Sequence, residues 1–173
     1  DPDIFAAGAS VGIRDLVSGQ ESLLALAGPA NKGGRVAGDN AAGGDLSFHG
    51  ALGTAIVRTG SITAGLTGLT EKRATRLNIP YEVTYTVSAD HAEYYPGAQE
   101  MLIKLLWHPE TRKLLGVQVV GGQGVDKRVD VMATAITGGL TLDQMADLDL
   151  AYAPPFGAAK DAVAMNAMAA QNA

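Results

Sequence analysis

Polar and apolar positions alternate most regularly over Tyr81-Glu-Val-Thr-Tyr-Thr-Val87, which predicts a half-buried β-strand. Two further β-rich runs, Met101 to Trp107 and Lys113 to Val120, flank Pro109-Glu110-Thr111-Arg112 and read as a hairpin. Thr54 to Thr59 and Ser61 to Thr67 predict two more short strands joined around Gly60. The period then changes. Val125, Val129, Met132, Ala133 and Ile136 recur at helical spacing, with Asp126, Lys127, Arg128 and Asp130 expected on the solvated side and Gly138-Gly139 at the end.

Shorter helices are expected from Thr70, as a cap ahead of Glu71, to near Asn78, and from Thr141. A last helix is expected over Ala159 to Ala170. Strands first and helices later predict an α+β fold, an antiparallel sheet with helices on one side. Upstream of a break near Gly43-Gly44-Asp45, Ile4-Phe5-Ala6-Ala7 reads as a short buried strand leading into Gly8. Pro29 to Ala42 reads as a small-residue helix, with Pro29 in the first turn, where an amide hydrogen has no partner anyway.

Composition narrows the function classes. The hydrophobic share of 47% suits a packed core. A formal net charge of −5 argues against an electrostatic nucleic-acid surface. No apolar run approaches the ~20 residues that span a bilayer. The absence of cysteine excludes disulfides and a thiol nucleophile within these 173 residues, and is compatible with a cytoplasmic location. His49, His91 and His108 fall at no metal-ligand spacing, so no metal site is expected. The opening Asp1-Pro2-Asp3 has neither an initiator methionine nor a signal-peptide pattern, and predicts a piece of a longer chain.

Two aromatic–proline clusters stand out. Ala151-Tyr-Ala-Pro-Pro-Phe156 follows the acidic, leucine-bearing end of a helix and is expected to be stiff and extended. Such a segment suits a contact that must be held in place. In Tyr94-Tyr95-Pro96-Gly97, also expected to be extended, one tyrosine can pack inward while the other presents its hydroxyl. Gly121-Gly122-Gln123-Gly124 reads as a tight strand-to-helix connection, since it lacks the Lys-Ser/Thr ending of a phosphate loop.

Several blocks, in order, resemble one family: Pro2-Asp-Ile-Phe-Ala-Ala-Gly8, Gly28-Pro-Ala-Asn-Lys-Gly-Gly-Arg-Val-Ala-Gly-Asp-Asn40 and Leu52-Gly-Thr-Ala-Ile-Val57, then Tyr94-Tyr-Pro-Gly-Ala98, Gly124-Val-Asp-Lys-Arg-Val-Asp130 and Ala151-Tyr-Ala-Pro-Pro-Phe156. The chain resembles the C-terminal third of an FAD-dependent pyridine nucleotide–disulfide oxidoreductase of the coenzyme A-disulfide reductase and NADH oxidase type. The resemblance implies that residues 1–44 are the end of a flavin-binding domain and residues 49–173 a dimerisation domain. It implies a homodimeric parent enzyme that uses FAD and NAD(P)H to reduce a disulfide, coenzyme A disulfide among them, or an oxygen species.

It implies that Gly8 and the helix start Gly28-Pro29-Ala30-Asn31 approach the flavin, where a helix dipole stabilises negative charge on the reduced ring. By the same resemblance, Tyr94 and Tyr152 reach the partner's active site as catalytic residues, and Phe156 sits near the partner's flavin edge. Tyr94 is preferred over Tyr95. One departure is visible: the family's usual acidic residue after the first glycine is here Ala9, whose methyl accepts no hydrogen bond from a ribityl hydroxyl. The redox cysteine and the nucleotide-binding glycine fingerprints are absent, so these residues alone are expected to be inactive. A second class remains open, a non-catalytic α+β interaction domain without cofactor.

Overall fold

The structure, a computed structural model, describes residues 3–172; Asp1, Pro2 and Ala173 lie outside the described residues, and with them the first residue of the Pro2–Gly8 block. The chain divides into two compact units, one ending at Gly53 and the other beginning at Thr54.

In the first unit, β1 (Gly12–Arg14) and β2 (Glu21–Leu23) form an antiparallel pair with Gly12 opposite Leu23. The buried Asp15 side chain organises the turn between them, its Oδ1 accepting from the amides of Val17 at 3.0 Å and Ser18 at 2.8 Å. The sequence reading missed this hairpin, because two three-residue strands are too short to show a period. Ile4-Phe5-Ala6-Ala7 is no strand, and Ile4 is 71% exposed, which corrects the expectation of a buried strand. Four apolar residues in a row carry no information on whether a neighbouring strand is present to pair with them. Helix α1 (Ala27–Ala41) starts two residues earlier than expected and places Pro29 in its first turn.

The second unit holds a five-stranded antiparallel sheet in the order β3-β4-β7-β6-β5. Its strands are β3 (Ala55–Thr59), β4 (Ile62–Gly68), β5 (Glu82–Ala89), β6 (Glu100–Trp107) and β7 (Leu114–Gly121). Helix α2 (Glu71–Arg76) connects β4 to β5, while α3 (Val125–Gly138), α4 (Leu142–Ala146) and α5 (Ala162–Gln171) follow β7. Local chemistry sets the helix ends. Thr70 caps α2 through the Arg73 amide, and Thr141 with Gln144 forms a reciprocal capping box on α4. Gly139 closes α3 at φ 66°, a left-handed conformation that costs glycine nothing.

One face of the sheet is the core. Met101, Ile103, Leu105 and Trp107 of β6 and Val117 and Val119 of β7 are buried against Val125, Val129 and Met132 of α3 and Val163 and Ala167 of α5. Each large side chain buried this way stabilises by roughly 1.5–3 kcal/mol, before the entropy of ordering it is counted. Polar groups in this face are paired: Trp107 Nε1 donates to Thr84 Oγ1 at 3.2 Å, and Thr86 Oγ1 donates to the buried Asn166 Oδ1 at 2.5 Å. The opposite face is different. The registers align Val57, Ala64, Val120, Leu102 and Val87 in a single row across all five strands. Every member of that row is exposed or partly exposed. Beside it, Lys104 is 5.3 Å from the Tyr85 ring centroid and pairs with Glu71 of α2.

Candidate functional site

Two loops of the second unit carry the aromatic–proline clusters. The first leaves β5 at Asp90 and returns at Gln99. Its neck is closed twice, by the Asp90 amide donating to the Gln99 carbonyl at 2.9 Å and by the Gln99 amide donating to Asp90 Oδ1 at 3.0 Å. Within it the chain turns, the Tyr95 amide donating to the Ala92 carbonyl at 2.8 Å, so Tyr94-Tyr95-Pro96-Gly97 is a turn and not the extended segment expected.

The second loop runs from Ala151 to Lys160. Helix α4 ends at Ala146, well before Ala151; Leu148 and Leu150 pack on the core, and Ala151 to Ala153 belong to no helix, strand or turn. The chain then turns through Pro154-Pro155-Phe156, with the Phe156 amide bonded to the Ala153 carbonyl at 2.9 Å. The Ala92 amide reaches the Pro154 carbonyl at 3.3 Å and joins the two loops.

The hydroxyls of Tyr94 and Tyr152 meet at 2.8 Å. Tyr94 is 76% exposed. Its neighbour Tyr95 takes a separate role, its ring edge-on to His91 at 5.8 Å between centroids. His91 Nδ1 in turn lies 2.9 Å from the buried Asp90 carboxylate. His91, Tyr94, Tyr152 and Lys160 line one groove of about 490 Å³, together with Val87, the outermost member of the exposed apolar row.

The hydrogen bond to Tyr152 pushes the Tyr94 hydroxyl above the ordinary tyrosine value. That shift keeps the Tyr94 hydroxyl protonated at neutral pH, and a tyrosine pair in which one hydroxyl donates to the other keeps one O–H free for a ligand sulfur or oxygen. The arrangement can donate a hydrogen bond to a developing anion, and is poorly suited to act as a base.

Beneath the second loop lies a buried ion pair that the sequence reading missed. Arg128, expected on a solvated face, is 1% exposed. Its guanidinium forks onto Asp161, with Nη2 to Oδ2 at 2.9 Å and Nε to Oδ1 at 3.3 Å. Lys127 Nζ joins at 3.2 Å from Asp161 Oδ2 and 3.5 Å from the Phe156 carbonyl. Asp161 also accepts from the Val163 amide at 3.1 Å as the cap of α5. Burial drives its carboxyl upward, but the Val163 amide, Arg128 and Lys127 together outweigh burial and hold it below the usual carboxylate range. An acidic residue immediately before an apolar helical run was the signal available for that cap. Nothing in the sequence pointed to its partner.

The candidate flavin-contact residues divide between the units. Gly8 has φ 115°, and a side chain added at Gly8 or Gly28 would meet nothing within 4 Å. The start of α1 has no side-chain cap and no acidic residue in its first turn, so the Gly28 amide is open to an acceptor, while Pro29 carries no amide hydrogen and the Ala30 amide donates to the Leu26 carbonyl at 3.2 Å. These features fit the electron-rich edge of a planar cofactor, while the exposed Ala9 methyl offers it no hydrogen bond. Phe156 belongs to the second unit and is 72% exposed. Among the described residues no group of three metal-binding side chains occurs, and no helix is long and apolar enough to cross a membrane.

The family model for the pyridine nucleotide-disulphide oxidoreductase dimerisation domain matches residues 55–163. An NADH oxidase of Methanocaldococcus jannaschii is 35% identical over 154 residues, covering 89% of this chain and 34% of that protein. A coenzyme A disulfide reductase of Staphylococcus haemolyticus is 33% identical over 165 residues, covering 95% of this chain and 37% of that protein. Among solved structures, an NAD-dependent persulfide reductase from A. fulgidus superposes with a TM-score of 0.95 at 40% identity, over 98% of this chain and 32% of that one. The chain thus spans about a third of the length of the curated relatives it matches.

Proposed function

The chain belongs to the pyridine nucleotide-disulphide oxidoreductases through their dimerisation domain, and from that premise we propose that it is the homodimerisation region of a flavin-dependent NAD(P)H oxidoreductase that contributes tyrosines to its partner's active site. Residues 1–44 then complete a flavin domain and residues 49–173 form the dimerisation domain. The acceptor is a disulfide, with coenzyme A disulfide as the first candidate because a relative named for that activity matches 95% of the chain; oxygen or peroxide is the other acceptor class. A cytoplasmic location belongs to the same reading.

The observation that carries the proposal is the Tyr94–Tyr152 hydroxyl contact in an open groove. Through Val87 that groove is continuous with the apolar row Val57, Ala64, Val120, Leu102 and Val87, the surface a second copy would cover. A tyrosine pair at the edge of a dimer interface faces the partner's site rather than its own.

The overall reaction, NAD(P)H + RSSR + H⁺ giving NAD(P)⁺ + 2 RSH, balances two electrons against one disulfide bond. FAD, when bound, would supply the relay for those two electrons; Gly8, Gly28, Pro29 and Ala30 are the residues that would hold it, and Phe156 of the partner subunit would stand near its edge. The role left for the residues of this chain is electrostatic. As the S–S bond breaks, charge gathers on the departing sulfur, and the free O–H of the Tyr94–Tyr152 pair donates to it. A preorganised donor of this kind acts on the transition state more than on the bound substrate.

The test is NAD(P)H oxidation with coenzyme A disulfide as acceptor, by the enzyme carrying this region, in wild type, Tyr94→Phe and Tyr152→Phe. Each phenylalanine is expected to lower turnover at least tenfold while leaving folding intact. Full turnover in both variants would remove the pair from the chemistry.

A further inference from the structure

Very little fixes the Ala151–Lys160 loop to the rest of its unit. Its turn bonds are internal, and the Ala92–Pro154 bond joins it only to the other aromatic loop. The Tyr94–Tyr152 contact likewise ties it to that loop, and among the described residues the polar hold on the rest of the unit is the ion cluster on α3. Lys127 bonds the Phe156 carbonyl and Asp161 Oδ2, and Arg128 grips both oxygens of Asp161, where the loop passes into α5. Gly157 is buried directly above the charges: a side-chain carbon there would stand 3.3 Å from Asp161 Oδ2, 3.4 Å from Lys127 Nζ and 3.8 Å from Arg128 Nη2. The loop backbone therefore rests on the charged groups themselves.

We propose that Arg128, Asp161 and Lys127 are positioning residues for Tyr152, holding the Ala151–Lys160 loop on α3 so that the Tyr152 hydroxyl meets that of Tyr94. The proposal rests on the reading of the tyrosine pair as the reacting donor, and deepens it. Stability alone does not call for such a cluster, since well-packed apolar residues of similar volume usually serve a buried site as well or better. A two-oxygen fork does what an apolar contact cannot, because it fixes orientation as well as distance. The loop must place one hydroxyl within hydrogen-bond reach of another carried by a different loop, which is an orientational demand. Asp161 meets it from both sides, anchoring the loop's end to α3 and capping the helix that follows.

The test uses the 173-residue chain with ¹³Cζ-labelled tyrosine, read by NMR at neutral pH. Tyr94→Phe assigns the Tyr94 resonance, and Tyr152→Phe gives its position without the hydroxyl partner. Asp161→Asn is expected to move the Tyr94 resonance from the wild-type position to that of Tyr152→Phe, with circular dichroism unchanged. Lys127→Met is expected to move it in the same direction, and Lys127→Arg to leave it in place.

A folded Asp161→Asn chain that keeps the wild-type resonance overturns the proposal. If Asp161→Asn loses native dichroism, Lys127→Met decides by the same criterion. A Tyr94 resonance identical in wild type and Tyr152→Phe also overturns it, because no pairing is then present to position. Failure of the catalytic reading shows elsewhere, as retained turnover in Tyr152→Phe, and leaves these spectra unchanged.

Discussion

The hydroxyls of Tyr94 and Tyr152, 58 positions apart in the chain, stand 2.8 Å from one another at the junction of two proline-bearing loops. Neither loop belongs to the sheet or to a helix. Each is rooted on a buried carboxylate, Asp90 at the neck of one and Asp161 at the end of the other.

The pairing has a pH signature. Its hydrogen bond to Tyr152 raises the Tyr94 hydroxyl above the ordinary value near 10. A group raised on folding contributes stability that is complete below the ordinary value and is lost as pH climbs through the raised one. Titration of individually resolved tyrosines is expected to show Tyr94 ionising above the ordinary tyrosine value, and Tyr152→Phe lowering it toward that value.

Arg128→Ala removes the fork and leaves the Asp161 carboxylate buried, with Lys127 as its remaining cation. Breaking a buried pair from one side costs about 3–5 kcal/mol. Chemical denaturation of the second unit is expected to show a loss of that order. Lys127→Ala, at a half-exposed position, is expected to cost about 1 kcal/mol or less.

Acid sensitivity follows from Asp161. Its carboxyl is held below the usual range, so the stability it contributes is present above the unfolded-state value near 3.9 and disappears as pH falls toward the folded one. Denaturation curves from pH 6 to pH 2 are expected to be flatter in Asp161→Asn than in wild type. Equal slopes would mean that Asp161 ionises alike in the folded and unfolded chain.

The exposed row across the sheet makes a separate prediction. Val120 is exposed on the face opposite the core, so Val120→Asp is expected to change monomer stability by about 0.5 kcal/mol or less. It would instead place a charge in the middle of the apolar row and weaken association. Size-exclusion chromatography alongside thermal denaturation separates the two effects.

Much of this fold was legible in the chain because its signals are local. The strands around Tyr85, Ile103 and Val119, the caps Thr70 and Thr141, and the helix ending at Gly139 all follow from period and end chemistry within a few residues. The aromatic–proline clusters were visible for the same reason, and the resemblance paired Tyr94 with Tyr152. What stayed hidden depends on partners far along the chain. Arg128 lies among Asp126, Lys127 and Asp130, a local pattern indistinguishable from a solvated face; its burial is decided by Asp161, 33 positions away. The β1–β2 hairpin carries too few residues for a period, and Ile4-Phe5 looked buried only because its residues are apolar.

The measurement that reaches the central claim most directly is the solution mass of the 173-residue chain by sedimentation equilibrium over a dilution series, with Val120→Asp alongside. The account predicts a wild-type mass of two chains persisting on dilution and a single-chain mass for Val120→Asp. A wild-type chain that is monomeric at every concentration would contradict the claim that this region carries association and presents Tyr94 and Tyr152 to a partner.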